Sequence, residues 1–347
     1  MADPKEFTPP DLLTFQTMYL CGVAYMVDPA LMPGLIKKNE VPPPGTAIWK
    51  CLWGPVQNDD DANLAFVAGY FPDPNAAPES IFVTIRGTDV DIDDIGGILW
   101  QIWEDLDADD PQPMPWALDD PARVASGTLD GLRTIQRLAD FTQPPAQETL
   151  AQFLTTFFGK PANAKVTTVV TGHSLGGCLA SILAMWIRTL PLPNYRGAIQ
   201  PITWAAPTAG NGNFATYYNE LFPSARRYQN TLDVIPLAYY DLGRIDGIYG
   251  GLLPTPDLVK VGLAIMQDGI AGVGYTQPAQ GQQILPGIQL ASDTDWYAQA
   301  LHQHHLATYL AILTGTPVDP ATLPQPDRDR ARKARLLERI GAASKGK

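Results

Sequence analysis

The residues with the clearest chemical potential are Gly172-His173-Ser174-Leu175-Gly176, a Gly-x-Ser-x-Gly stretch. Its setting matters more than its letters. Lys165–Thr171 (KVTTVVT) is a continuous β-branched run, as expected of a strand buried on both faces, and Leu175–Leu190 reads as a helix. A serine on a sharp strand-to-helix turn has its hydroxyl lifted above the sheet, and glycines must flank it because a side chain would not fit. Gly177 extends the run of small residues, so the helix can pack close. The N-terminus of that helix supplies positive potential where an alkoxide or oxyanion would develop. The chemistry indicated is nucleophilic attack by Ser174 on a carbonyl carbon.

A serine nucleophile needs a base, and histidine is the usual one. The chain has four histidines, His173, His302, His304 and His305. His173 adjoins Ser174, where neighbouring side chains diverge, so the base is sought in His302-Gln303-His304-His305. The order, serine first and histidine last, is that of α/β-hydrolase triads. The stretch after the cluster, LATYLAILTG, reads as a helix, and the base should lie at or just before its start. A His-x-His-His cluster also suits a metal, but no neighbouring Cys or carboxylate completes such a site. The acid should lie between Ser174 and the cluster, just after a strand. Asp233 fits, because Tyr228–Pro236 (YQNTLDVIP) runs from a short strand into a Pro-bounded turn; Asp241, Asp246 and Asp257 are rivals with less suitable flanks. Ile85-Arg86-Gly87-Thr88 ends an earlier strand. A backbone amide from such a loop, together with that of Leu175, would form an oxyanion hole, to which the Thr88 hydroxyl could add.

These residues need a scaffold of alternating strands and helices. Short β-favouring runs at Ala47–Leu52, Leu64–Tyr70 and Ile81–Ile85 precede the serine. Residues 128–140 and 148–158 read as helices, and Ile199–Ala205 and Arg226–Asn230 as further strands. The alternation predicts an α/β fold with a mostly parallel central sheet flanked by helices. Leu12–Val27 is expected to be a buried N-terminal helix started near Pro9-Pro10-Asp11, being too short and too interrupted by Thr14, Gln16 and Thr17 to span a bilayer.

Composition narrows the function further. The net charge of −12 makes nucleic acid an unfavourable partner. Charged residues are only 17% of the chain, which suits an enzyme working at an oily interface and equally a loop-rich architecture with 33 Pro and 30 Gly. Cys21, Cys51 and Cys178 are too few and too widely spaced for a disulfide framework and read as ordinary thiols, with Cys21–Cys51 the one pairing left open. The acidic, Pro-rich start MADPKEFTPPD does not read as a signal peptide, so cytoplasmic placement is the default expectation. Oligomeric state is not encoded legibly.

Taken together, the segments resemble the fungal-type triacylglycerol lipases, the class 3 lipases of the α/β-hydrolase superfamily. Several pieces match in order between about residues 80 and 310. TIRGTD resembles the family's oxyanion segment, with Ile85 in place of an aromatic. LWQIWEDL (99–106) resembles its lid helix. VASGTLD (124–130) resembles a segment usually read Val-His-x-Gly-Phe, with Ser126 and Thr128 departing from it. VTGHSLGGCLA matches the elbow closely, ITWAAPTAGNGNFA a Pro/Gly/Asn-rich segment, and YQNTLDVIP the acid segment. The resemblance implies ester hydrolysis through an acyl-enzyme by a Ser-Asp-His triad, with no cofactor. A histidine five residues before Tyr-Leu is common in relatives, which favours His304; a spacing of four would give His305.

The resulting expectation is a single α/β-hydrolase domain over 1–316, with a helical extension over 1–45 and a lid over 89–119. A linker and basic tail follow over 317–347. Ile95, Ile98, Leu99, Ile102, Trp103 and Leu106 form one apolar helical stripe beside the oxyanion loop, which is what a lid needs. The expected substrate is a lipid ester, with Ser174, Asp233 and His304 (or His305) catalytic. The alternatives are a soluble carboxylesterase, a phospholipase, or a catalytically silent hydrolase-fold binding scaffold.

Overall fold

The computed structural model describes residues 10–26, 28–38, 48–58, 63–87, 107–117, 120–140, 147–318 and 323. Seven strands form one sheet in sequence order: β1 (Ile48–Gln57), β2 (Leu64–Phe71), β3 (Ser80–Ile85), β4 (Thr167–His173), β5 (Ile199–Trp204), β6 (Arg226–Asn230) and β7 (Gln282–Leu285). The first three are antiparallel neighbours, and every pairing from β3 to β7 is parallel. The change follows from the connections. Short loops join β1, β2 and β3, whereas the later strands are joined by long connections, each carrying at least one helix.

The longer helices among the described residues are α1 (Leu12–Ala24), α2 (Ser126–Arg137), α3 (Leu150–Gly159), α4 (Leu175–Thr189), α5 (Gly212–Leu221), α6 (Asp257–Gly269), α7 (Trp296–His304) and α8 (Leu306–Thr314). They divide between the two faces, and strand alternation divides the core with them. Val67, Ile81, Val83 and Val170 join the apolar layer under α2, α3 and α4. Phe66, Phe82, Val169 and Ile202 point the other way, into a layer shared with α1 and α8. All residues of β2 and β3 are buried, as expected for strands covered on both sides.

The fold is thus the expected α/β architecture. Asp11 caps α1 as the sequence suggested, accepting from the Thr14 amide at 3.0 Å. The helices α6 and α7 and the edge strand β7 are elements that the sequence patterning did not single out. Cys21, Cys51 and Cys178 are free thiols, so the Cys21–Cys51 pairing does not form; Cys21 lies instead against Thr171 of β4, and Cys51 against the Gly54 carbonyl. No helix among the described residues is long and apolar enough to cross a membrane.

Candidate active site

Ser174 sits between β4 and α4 with φ 59° and ψ −131°, a left-handed conformation that a non-glycine residue adopts only when its surroundings impose it. Its amide donates to the Trp204 carbonyl of β5 at 2.9 Å. The glycines around it show why the turn is so tight. A Cβ at Gly172 would lie 2.2 Å from the Gly176 carbonyl oxygen, and one at Gly176 would lie 2.5 Å from the Ile85 carbonyl oxygen. The elbow and the end of β3 therefore meet backbone to backbone. Leu175 is the first residue of α4, so its amide is among those a helix start leaves without an intrahelical acceptor. Thr88 lies outside the described residues, and so does the apolar stripe Ile95–Leu106 proposed as a lid.

His304 ends α7 and faces Asp233, with Nδ1 at 2.9 and 3.1 Å from the two carboxylate oxygens. Both side chains are buried. The carboxylate is further held by the Tyr309 hydroxyl at 2.7 Å and by the Ile235 amide at 2.9 Å. Tyr309 in turn accepts from the Asn230 amide at 3.0 Å. Burial, and then the Asp233 charge, push the Tyr309 phenol well above its ordinary pKa, so it remains a donor. Because Nδ1 is occupied by Asp233, Nε2 of His304 is the nitrogen left for proton transfer.

The other members of the histidine cluster have separate partners. His302, on α7 with His304, bonds through Nδ1 to Asp293 at 2.8 Å. His305 is the N-cap of α8, and its Nδ1 accepts from the Ala307 amide at 3.2 Å. Burial and the neighbouring His304 lower His305 to about 4, keeping it neutral as a capping acceptor requires. Of the carboxylate rivals, Asp246 and Asp257 are exposed, and Asp241 lies 3.9 Å from Arg244. The structure therefore brings Asp233 and His304 together and places the rest elsewhere.

Three neighbours escaped the sequence reading. The sequence gives Tyr309 a place in the helix after the cluster and a spacing from the histidines, but no partner in the site. His173 had been set aside for adjoining Ser174, yet its ring packs against His304 with centroids 4.5 Å apart. Tyr25, 148 residues away, bonds to His173; no local signal marks it. The Pro/Gly/Asn-rich segment also has a structural task. Asn211 caps α5 and accepts from the Arg123 amide at 3.0 Å, and a Cβ at Gly210 would lie 2.2 Å from the Arg123 carbonyl oxygen.

Comparison with known proteins agrees with this geometry. Residues 82–242 match the family model described as Lipase (class 3). A segment of 125 residues is 33% identical to Phospholipase A1-Igamma2, chloroplastic, of Arabidopsis thaliana, covering 34% of this chain. The chain spans only 24% of that relative's length. The crystal structure of M37 lipase superimposes with a TM-score of 0.74 at 23% identity, over 95% of this chain and 100% of that one, a likeness of fold. The sheet carries the nucleophile-elbow geometry of an α/β-hydrolase, and the segment that is similar to the class 3 lipase family contains both the elbow and Asp233.

Proposed function

We propose that this protein is a serine-dependent carboxylic ester hydrolase acting on lipid esters through an acyl-enzyme. The observation that carries the reading is the buried His304–Asp233 pair, 2.9 Å apart, in a fold whose strained elbow presents Ser174. In this mechanism His304 Nε2 takes the Ser174 proton as Oγ bonds to the ester carbonyl carbon. Asp233 holds the imidazole tautomer and stabilises the imidazolium. The oxyanion is received by the Leu175 amide, with Thr88 assigned from the sequence as its partner. His304 then protonates the departing alcohol, and water releases the acid by the reverse sequence of proton transfers. The chemistry calls for no cofactor.

The similarity of residues 82–242 to the class 3 lipases supports a lipid ester, and a specific observation favours phospholipids as a second reading, namely the 33% identity to a phospholipase A1 segment. A fluorophosphonate probe tests the enzyme class. Labelling of the folded wild type and none of Ser174→Ala is expected; equal labelling of both would overturn the assignment and leave the binding-scaffold alternative. Rates on tributyrin, a long-chain triacylglycerol and phosphatidylcholine vesicles then sort the substrate. Turnover confined to dissolved short-chain esters would reduce the reading to a soluble carboxylesterase.

A further inference from the structure

The N-terminal helix lies outside the segment matched by the family model, yet its last turn reaches the centre of the site. Tyr25 is the C-cap of α1, and its hydroxyl stands 3.0 Å from His173 Nδ1 and 3.3 Å from the His173 carbonyl oxygen. On the other edge of the ring, His173 Nε2 lies 2.9 Å from the backbone carbonyl oxygen of His304. A carbonyl can only accept, so Nε2 carries the ring hydrogen. Nδ1 is then an acceptor, and the Tyr25 hydroxyl donates to it. The direction of every hydrogen in the chain Tyr25–His173–His304 follows from that one carbonyl.

The same phenol also touches the oxyanion side. A Cβ on Gly87 would fall 2.4 Å from the Tyr25 oxygen and 2.8 Å from the His173 carbonyl oxygen, so the end of β3 is seated directly beneath this contact. The helix that delivers Tyr25 is itself anchored to the strands next to the elbow. Asp11 pairs with Arg226 at 2.7 Å, Thr14 bonds to the Tyr228 hydroxyl at 2.8 Å, and Thr17 accepts from Trp204 Nε1 at 3.3 Å.

We infer that Tyr25 and His173 are positioning residues that lock the backbone and ring of His304 against the elbow. The role rests on the assignment of His304 as the base. His304 is held at three points: Asp233 on Nδ1, the His173 ring on its face, and the His173 N–H on its carbonyl. The arrangement needs a neutral His173. Its ring faces the imidazolium that forms on His304 during each turnover, and a second cation there would oppose it. Burial, then the proximity of His304, hold His173 well below the ordinary imidazole range, with His305 acting in the same direction. A leucine would fill the space without donating; a glutamine would present an N–H near the position of Nε2.

The test uses the full chain with Tyr25→Phe, His173→Leu, His173→Gln and the Tyr25→Phe/His173→Leu double variant. Turnover of p-nitrophenyl butyrate is measured alongside thermal unfolding. Tyr25→Phe and His173→Leu are expected to lower kcat about tenfold with KM within about twofold, the effect of one hydrogen bond lost at the transition state. The double variant should be no slower than His173→Leu, since both act through one chain, and His173→Gln should recover most of the loss. Unchanged kcat in the folded single variants, or losses that multiply in the double variant, would overturn the role. A second measurement stands apart from activity. With only four histidines in the chain, imidazole nitrogen NMR can resolve each ring. His173 should show the Nε2–H tautomer and not titrate in the ordinary imidazole range, and Tyr25→Phe should perturb it. An Nδ1–H tautomer, or titration in that range, would refute the relay. Failure of wild type to hydrolyse esters, with this NMR signature intact, would instead remove the enzyme assignment and leave the clamp.

Discussion

At the scale of single residues, the site is a problem of which atoms are already engaged. The histidine cluster has three rings within four positions, and hydrogen bonding separates them: His302 to Asp293, His304 to Asp233, His305 to the start of α8. His304→Ala is therefore expected to lower kcat on the order of 10⁴-fold, whereas His305→Ala should cost stability through a lost cap and leave kcat within an order of magnitude. Equal loss in both would reopen the choice. Asp233→Asn should fold but lose most turnover, because an amide can favour the wrong imidazole tautomer. Tyr309→Phe removes one of the donors to the carboxylate. About tenfold lower kcat is expected, with a stability loss of about 1–3 kcal/mol for a hydrogen bond to a charged acceptor, read from urea unfolding. Wild-type kcat in that variant would show that the Ile235 amide and His304 suffice to hold Asp233.

At the scale of elements, β4, the elbow and α4 form a unit in which glycine is required by contact. Gly172→Ala would drive a methyl group to within 2.2 Å of the Gly176 carbonyl oxygen, backbone against backbone. No rotamer change relieves that clash, so soluble yield and labelling by a fluorophosphonate should fall together. By contrast Gly262, on α6, has open space where a Cβ would go. Gly262→Ala should be neutral or should stabilise by up to about 1 kcal/mol through helix propensity. A stable, active Gly172→Ala protein would contradict the close packing described. The strain at Ser174 belongs to the same unit, since the Trp204 carbonyl and the start of α4 impose its conformation from both sides.

At the scale of the whole molecule, acid sensitivity follows from the buried imidazoles. His305 titrates at about 4 in the folded chain against an ordinary value of 6.5, and His173 also lies well below it. Between those limits the unfolded chain binds more protons than the folded one, so stability rises with pH there. The melting temperature should fall steadily as pH drops from about 6.5 toward 4, and His305→Asn, which can still cap α8 without taking a proton, should flatten part of that slope. An unchanged slope in the variant would assign the effect to other groups. A single cooperative unfolding transition is also expected, because both apolar layers share the one seven-stranded sheet. Two resolved calorimetric transitions would divide the proposed 1–316 domain.

Much of this was legible in the chain because it depends on neighbours in sequence. A β-branched run followed by Gly-x-Ser-x-Gly and an apolar helix specifies the elbow locally, since each glycine answers a steric demand within a few residues. Short β-favouring runs marked β2, β3 and β4 for the same reason. Asp233 was approachable from its place after β6, and His304 from its distance to Tyr309. What the sequence could not separate were groups of equal type at near-equal spacing, such as His304 and His305, whose difference lies in which partner each ring meets. It also left α7 unread, although that helix carries His304 to Asp233. Tyr25 and His173 show the limit most directly. One lies 148 residues before the other, and the other stood beside the serine with no visible task. Their meeting depends on α1 being laid across β4 and β5, where long-range packing rather than local pattern sets the distance.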